Sequence, residues 1–93
     1  MNINFLRANQ DSKDFAGENF FQIGKEKYDK DDYKNAIVDF TKSIELGYID
    51  TMVFYFRGDA FVEIGDTESA MKDFTKAIEI DPKNSKAYAG RGY

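Results

Sequence analysis

The sequence predicts an all-α fold, a helical-hairpin solenoid of antiparallel helix pairs. Three observations predict it. The 93-residue chain writes DFTKSIELG from Asp39 and nearly the same nine letters, DFTKAIEID, from Asp73, which is 73 − 39 = 34 positions later. Around both copies the apolar residues recur at helical spacing rather than alternating as in a strand. Helix breakers, Asp31-Asp32, Gly47, Gly65-Asp66 and Asp81-Pro82, then divide the chain into pieces of helix length.

Laying residues 17–50 over 51–84 gives ten identities: Phe20/Phe54, Gly24/Gly58, Asp32/Asp66, Ala36/Ala70, Asp39/Asp73, Phe40/Phe74, Thr41/Thr75, Lys42/Lys76, Ile44/Ile78 and Glu45/Glu79. Phe21/Tyr55 and Leu46/Ile80 are conservative pairs. A third unit opens at Ser85, with Tyr88 where Phe54 stood and Arg91-Gly92 repeating Arg57-Gly58. The organisation is therefore an N-terminal extension (1–16), a first repeat (17–50), a second repeat (51–84) and the first part of a third (85–93).

The elements follow in order. In the first repeat, a helix carrying Phe20 and Gly24 is broken at Asp31-Asp32, and a second helix with Ala36 and Phe40 stops at Gly47. In the second repeat, Phe54, Gly58 and Phe61 lie at i, i+4, i+7, one stripe of a helix. Gly65 suits the left-handed position that ends it, and Asp66 or Thr67 caps the next. Ala70, Phe74, Ala77 and Ile78 form the stripe of that helix, and Asp81 leaves the helical region because Pro82 follows. The small residues Gly24, Ala36, Gly58, Ala70 and Ala77 let helix axes approach while Phe40 and Phe74 fill the adjoining space.

A 34-residue pair of helices with these aromatic, Gly, Ala and Pro positions resembles the tetratricopeptide repeat (TPR) over residues 17–93. The second repeat carries nearly every signature position. The first departs at Lys27 (an aromatic in the pattern), Ser43 (an Ala) and Tyr48 (the Pro). The resemblance implies a superhelical stack whose first helices line a concave surface that binds peptides or helices of partner proteins. On those helices the face opposite the packing stripe comprises Glu18, Phe21, Gln22, Lys25, Tyr28 and Asp29, then Met52, Tyr55, Phe56, Asp59, Val62 and Glu63, then Lys86, Ala89, Gly90 and Tyr93. Phe21, Gln22, Lys25, Tyr28, Met52, Tyr55, Phe56 and Asp59 are the expected partner-binding residues. The aromatic and apolar members are expected to stand exposed, a surface suited to an apolar helix or extended apolar peptide. One branch of the family grips a C-terminal carboxylate with Lys and Asn. Here the matching positions are Phe21, Lys25, Phe56, Lys86 and Gly90, of which only Lys86 fits, so that clamp is not expected.

Composition narrows the alternatives. There is no Cys and no His, so thiol nucleophiles, imidazole bases and soft-metal ligands are absent. The acidic turn YDKDDYKN (28–35) fails as a calcium loop: counted from Asp29, the sixth residue is Lys34 and the twelfth Phe40, where Gly and Glu are required. No catalytic site, cofactor or metal is expected. A formal net charge of −4 argues against a nucleic-acid surface. The longest apolar run, MVFYF from Met52, is far short of the roughly 18–20 residues that span a bilayer, and the N-terminus lacks the pattern of a secretory signal, so a cytoplasmic location is expected. The alternative to a partner-binding module is a self-assembling element, a homodimer joined through the groove or through open ends at Met1–Gln10 (with the apolar Ile3, Phe5 and Leu6) and Ser85–Tyr93.

Charge placement suggests one further contact. Asp39 and Asp73 precede the core Phe residues, Arg57 and Arg91 precede the small Gly, and the first repeat has Ile23 at the Arg position. Pairing between layers, Asp39 with Arg57 and Asp73 with Arg91, leaves no member over and is the expected arrangement.

Overall fold

The computed structural model describes the backbone of residues 3–83 and the side chains of residues 15–83. Among these residues the elements are α1 (Ile3–Asp29), α2 (Tyr33–Glu45), α3 (Thr51–Glu63) and α4 (Thr67–Ile80), with no strand. The sequence-predicted breaks are the observed ones. α1 also runs without interruption through residue 17, so the segment read as an extension joins the first repeat through helix rather than loop. The expected third-repeat segment 85–93 and the side chains of Ile3, Phe5 and Leu6 lie outside the described residues, and with them the open-end contacts.

Local chemistry sets the helix ends. Gly65 has φ +86° and Gly47 +92°, conformations that cost an L-residue strain. Asp31, at the place equivalent to Gly65, adopts φ 63° with its carboxylate accepting the Tyr33 hydroxyl at 2.8 Å, the kind of local bond that makes this region tolerable for Asp. Asp50 caps α3 by accepting the Met52 amide at 2.8 Å, and Asp66 caps α4 by accepting the Ser69 amide at 3.1 Å. Those Ser69 bonds hold the Asp66 carboxyl below its ordinary range. Asp32 receives the Asn35 side-chain amide instead, at 3.0 and 3.1 Å. After α4, Asp81 is extended (φ −136°, ψ 94°), as its following proline demands.

α1 packs on α2 and α3 on α4, while α2 and α1 both lie against α3. The core forms where the hairpins close. Phe40 and Phe74 are fully buried, as are Ala36, Ala77 and Val53. A Cβ on Gly24 would stand 2.7 Å from the Phe40 ring, and one on Gly58 would stand 2.8 Å from the Phe74 ring. Both distances are well inside van der Waals contact, so each ring occupies the volume its glycine leaves open.

A second contact ties each hairpin at its other end. In the first repeat the Ser43 hydroxyl donates to the Gly17 carbonyl at 2.6 Å; in the second the Thr51 hydroxyl donates to the Ala77 carbonyl at 2.8 Å. Since 17 + 34 = 51 and 43 + 34 = 77, the two bonds join equivalent places with the donor on opposite helices. Ser43, read from sequence as a departure from Ala, thus has a buried partner of its own. Tyr48, in the proline position, lays its ring 5.5 Å from that of Phe21.

The ion pairs correct the sequence expectation. Arg57 does not pair with Asp39 of the layer above but with Asp73 of its own hairpin, through Nε at 2.8 Å and Nη2 at 2.7 Å. Its remaining Nη1 donates to Thr41 at 3.2 Å, so the link to the preceding layer is a hydroxyl two residues beyond the acid expected. Asp39 is served by Lys27, whose Nζ forms an ion pair with Oδ2 at 2.7 Å. The reason is positional. The first repeat has Ile23 and Lys27 where the second has Arg57 and Phe61, so the cation has moved one helical turn along the same face and still reaches its acid. In the second repeat the guanidinium lies 5.8 Å from both the Phe54 and Phe61 rings, which hold it in place for the bidentate contact.

Two outcomes check this packing. Gly58→Ala should destabilise by about 1–3 kcal/mol through overpacking. Pairing it with Phe74→Leu should cost less than the sum of the two single changes, measured by urea denaturation; simple additivity would mean the methyl group found room elsewhere. For the charges, Arg57→Leu and Asp73→Asn should be strongly non-additive. Arg57→Leu and Asp39→Asn should add within about 0.5 kcal/mol.

Candidate partner-binding groove

α1 and α3 lie side by side in the same direction, since Phe21 meets Phe56 while Tyr28, further along α1, meets Asp59, further along α3. Of the eight residues expected to bind a partner, Phe21, Lys25, Tyr28, Tyr55, Phe56 and Asp59 meet at this seam, at different depths. Phe21 is 5% exposed and belongs to the core, with its ring 6.0 Å from Phe40 and 6.1 Å from Phe56. The expectation that it stands in solvent is corrected: Phe21 closes the first hairpin against α3. Met52 is partly buried against the same core, and Gln22 is exposed.

Phe56 is the hub of the seam. Half-buried, it touches Tyr28 (5.2 Å, edge to face), Tyr55 (5.1 Å, edge to face), Phe40 (6.3 Å, stacked) and Phe21. Tyr55 continues inward to Phe74 at 6.1 Å. The rings expected to be free in water therefore pack on one another, because edge-to-face contacts recover energy that isolated exposed rings would forgo. What faces outward is a strip of half-exposed ring surface, those of Tyr28, Tyr55 and Phe56. Lys25 spans its inner part, with Nζ 5.4 Å from the Phe21 centroid and 5.5 Å from that of Phe56.

A polar contact crosses the seam: the Tyr28 hydroxyl donates to the Asp59 carboxylate, joining α1 to α3. Burial foremost, then this bond, hold the Tyr28 phenol well above its ordinary 10.0. Tyr33 extends the aromatic strip to the α1–α2 turn, 5.6 Å from Tyr28. Its hydroxyl is pushed up to about 12, first by the bond to Asp31. Sequence reading missed Tyr33 because it sits in an acidic turn outside the helical stripes; the five-residue spacing Tyr28–Tyr33 around a chain reversal was the available signal. Among the described residues no group of acids is arranged to hold a metal, and no helix is long and apolar enough to cross a membrane.

Two family profiles match the chain. One, described as a tetratricopeptide repeat, covers residues 17–46, and one described as a TPR repeat covers 58–93. The chain belongs to the tetratricopeptide-repeat family. Solved TPR domains superpose on it closely. The TPR domain of Arabidopsis OM64 has a TM-score of 0.83 and 32% identity over 86% of this chain and 66% of that one, so the chain spans just under two thirds of that domain's length. The second TPR of Spaghetti (RPAP3), bound to the HSP90 peptide SRMEEVD, has a TM-score of 0.83 and 29% identity over 91% of this chain and 78% of that one. The second TPR domain of human RPAP3, in complex with the HSP70 peptide SGPTIEEVD, has a TM-score of 0.76 and 28% identity over 89% and 67%. A comparison with curated proteins returned no match.

The cross-seam phenol of this TPR protein makes a pH prediction. A group whose pKa is raised on folding contributes stability that is whole below its unfolded value and lost as pH rises through its folded one. Stability should therefore decline above about pH 10, and Tyr28→Phe should flatten that decline relative to the parent. Denaturant midpoints across the alkaline range provide the check; parallel curves would place the raised phenol elsewhere.

Proposed function

We propose that the chain is a non-catalytic protein–protein interaction module, a scaffold or adaptor, holding an apolar helix or peptide in the groove along α1 and α3. The observation that carries this reading is the half-exposed strip of Tyr28, Phe56 and Tyr55 with Met52 beside it. Its rings are fixed by mutual contact before any partner arrives, which lowers the ordering cost of binding. Related TPR domains hold short peptides, which supports a peptide as the class of ligand. Those peptides end in EEVD. In this chain two positions of the carboxylate-clamp pattern are Phe21 and Phe56, rings 6.1 Å apart in mutual contact, which favours an apolar segment over an acidic terminus.

A peptide-display selection on the immobilised chain tests the reading. Apolar sequences should be enriched, and Tyr55→Ala should weaken the best of them by about tenfold, roughly 1.4 kcal/mol. The same substitution should disturb folding less than Phe21→Ala or Phe40→Ala, each a buried-ring truncation worth about 3–5 kcal/mol. Enrichment of acidic C-termini, or labelled SRMEEVD binding as tightly as the selected sequences, would overturn it.

A further inference from the structure

The groove is not electrically uniform along its length. Its two helices are parallel, so their C-terminal turns lie at the same end of the seam, beside the N-terminal turns of α2 and α4. This end is rich in acidic side chains. Asp29 closes α1, Glu63 closes α3 with Asp59 one turn earlier, and α3 has no basic residue in its last turn. The basic residue in the last turn of α1, Lys27, is engaged by Asp39 of α2. Lys30 lies in the neighbouring turn and Lys34 in the first turn of α2, but the ion pairs of the described residues are Lys27–Asp39, Arg57–Asp73, Lys72–Glu68 and Lys76–Glu79, so neither lysine is ion-paired at this end. Asp31 accepts the Tyr33 hydroxyl at 2.8 Å and Asp59 accepts that of Tyr28, whose ring lies 5.6 Å from Tyr33, with Glu63 one turn beyond Asp59 on α3.

Beside these carboxylates stand the partly exposed rings of Tyr28, Tyr33 and Phe56, in edge-to-face contact. Aromatic faces attract cations, and this strip already does so once, with Lys25 over Phe21 and Phe56. One turn further along α1 the same kind of ring surface meets carboxylates instead of a lysine.

Resting on the groove reading above, we propose that the occupant is an apolar segment followed by a lysine or arginine, whose cation is received by Tyr28 and Tyr33 together with Asp59 and Glu63. The apolar part lies along Phe56, Tyr55 and Met52, and the cation ends at the C-terminal turns of α1 and α3. This is opposite in sign to the EEVD termini bound by the related domains. The chain's net charge of −4 adds long-range attraction of the same sign.

Two labelled peptides, acetylated and amidated at their ends, test it on the full chain: one alternating leucine–alanine segment ending in two arginines, the other in two glutamates. The arginine peptide should bind at least about tenfold more tightly at low salt, and the gap should narrow as salt screens it. Asp59→Asn with Glu63→Gln should erase the preference. Glu63→Lys alone, at an exposed position, should weaken the arginine peptide by about fivefold even if the double variant folds poorly. Equal binding of the two peptides, or preference for glutamate, would overturn the charge assignment and leave the groove reading standing. Preference unchanged in the variants would overturn it too. Binding of neither peptide would bring down both.

Discussion

The rings of Phe40 and Phe74 occupy the space that a side chain on Gly24 and Gly58 would fill, and the interhelical distance follows from that. With α1 and α2 this close, the Ser43 hydroxyl reaches the Gly17 carbonyl; with α3 and α4 this close, Thr51 reaches the Ala77 carbonyl. The first helices are then held face outward and parallel, which brings Phe56 against Phe21 and Tyr28. The groove is thus a product of two glycine–phenylalanine contacts beneath it. A methyl group at either glycine acts on the groove through helix separation, without touching it.

The two repeats meet the same physical demands with exchanged parts. A buried carbonyl and a hydroxyl face each other near the open end of each hairpin, but the hydroxyl is on the second helix in one repeat and on the first in the other. A buried aspartate precedes the core phenylalanine in both, yet its cation comes from position 27 in one and 57 in the other, one turn apart in the repeat frame. What is preserved is the pairing of groups in space. A buried carboxylate without a cation is costly wherever that cation originates.

That exchange explains what the sequence did and did not reveal. Helix boundaries, core rings and close-approach glycines were legible because each is a single-residue requirement repeated at a fixed interval: Phe40 and Phe74, Gly24 and Gly58, Gly65 before Asp66. The partner of Arg57 was not, because a pair is a relation between two helices, and an inter-layer pairing leaves fewer orphans on paper than the observed one. Lys27 was visible as a missing aromatic, and its charge was the unused clue. The groove face was found by helical spacing, but its depth was not: Phe21 and Gln22 are adjacent on the same helix, and only the position of Tyr48 and Phe56 makes one buried and the other exposed.

The Tyr28–Asp59 bond has a consequence for how such an array can be assembled. The bonds Ser43–Gly17, Thr51–Ala77, Lys27–Asp39 and Arg57–Asp73 each begin and end within one repeat, so every hairpin carries them wherever it is inserted. The phenol–carboxylate bond joins two different repeats. A tandem of first repeats would set Tyr28 against Lys25 of the next copy, and a tandem of second repeats would set Val62 against Asp59. Neither recreates the bond. The hairpins are interchangeable as folding cassettes but not as neighbours, and a gene duplication that repeated either one would lose this bond between layers.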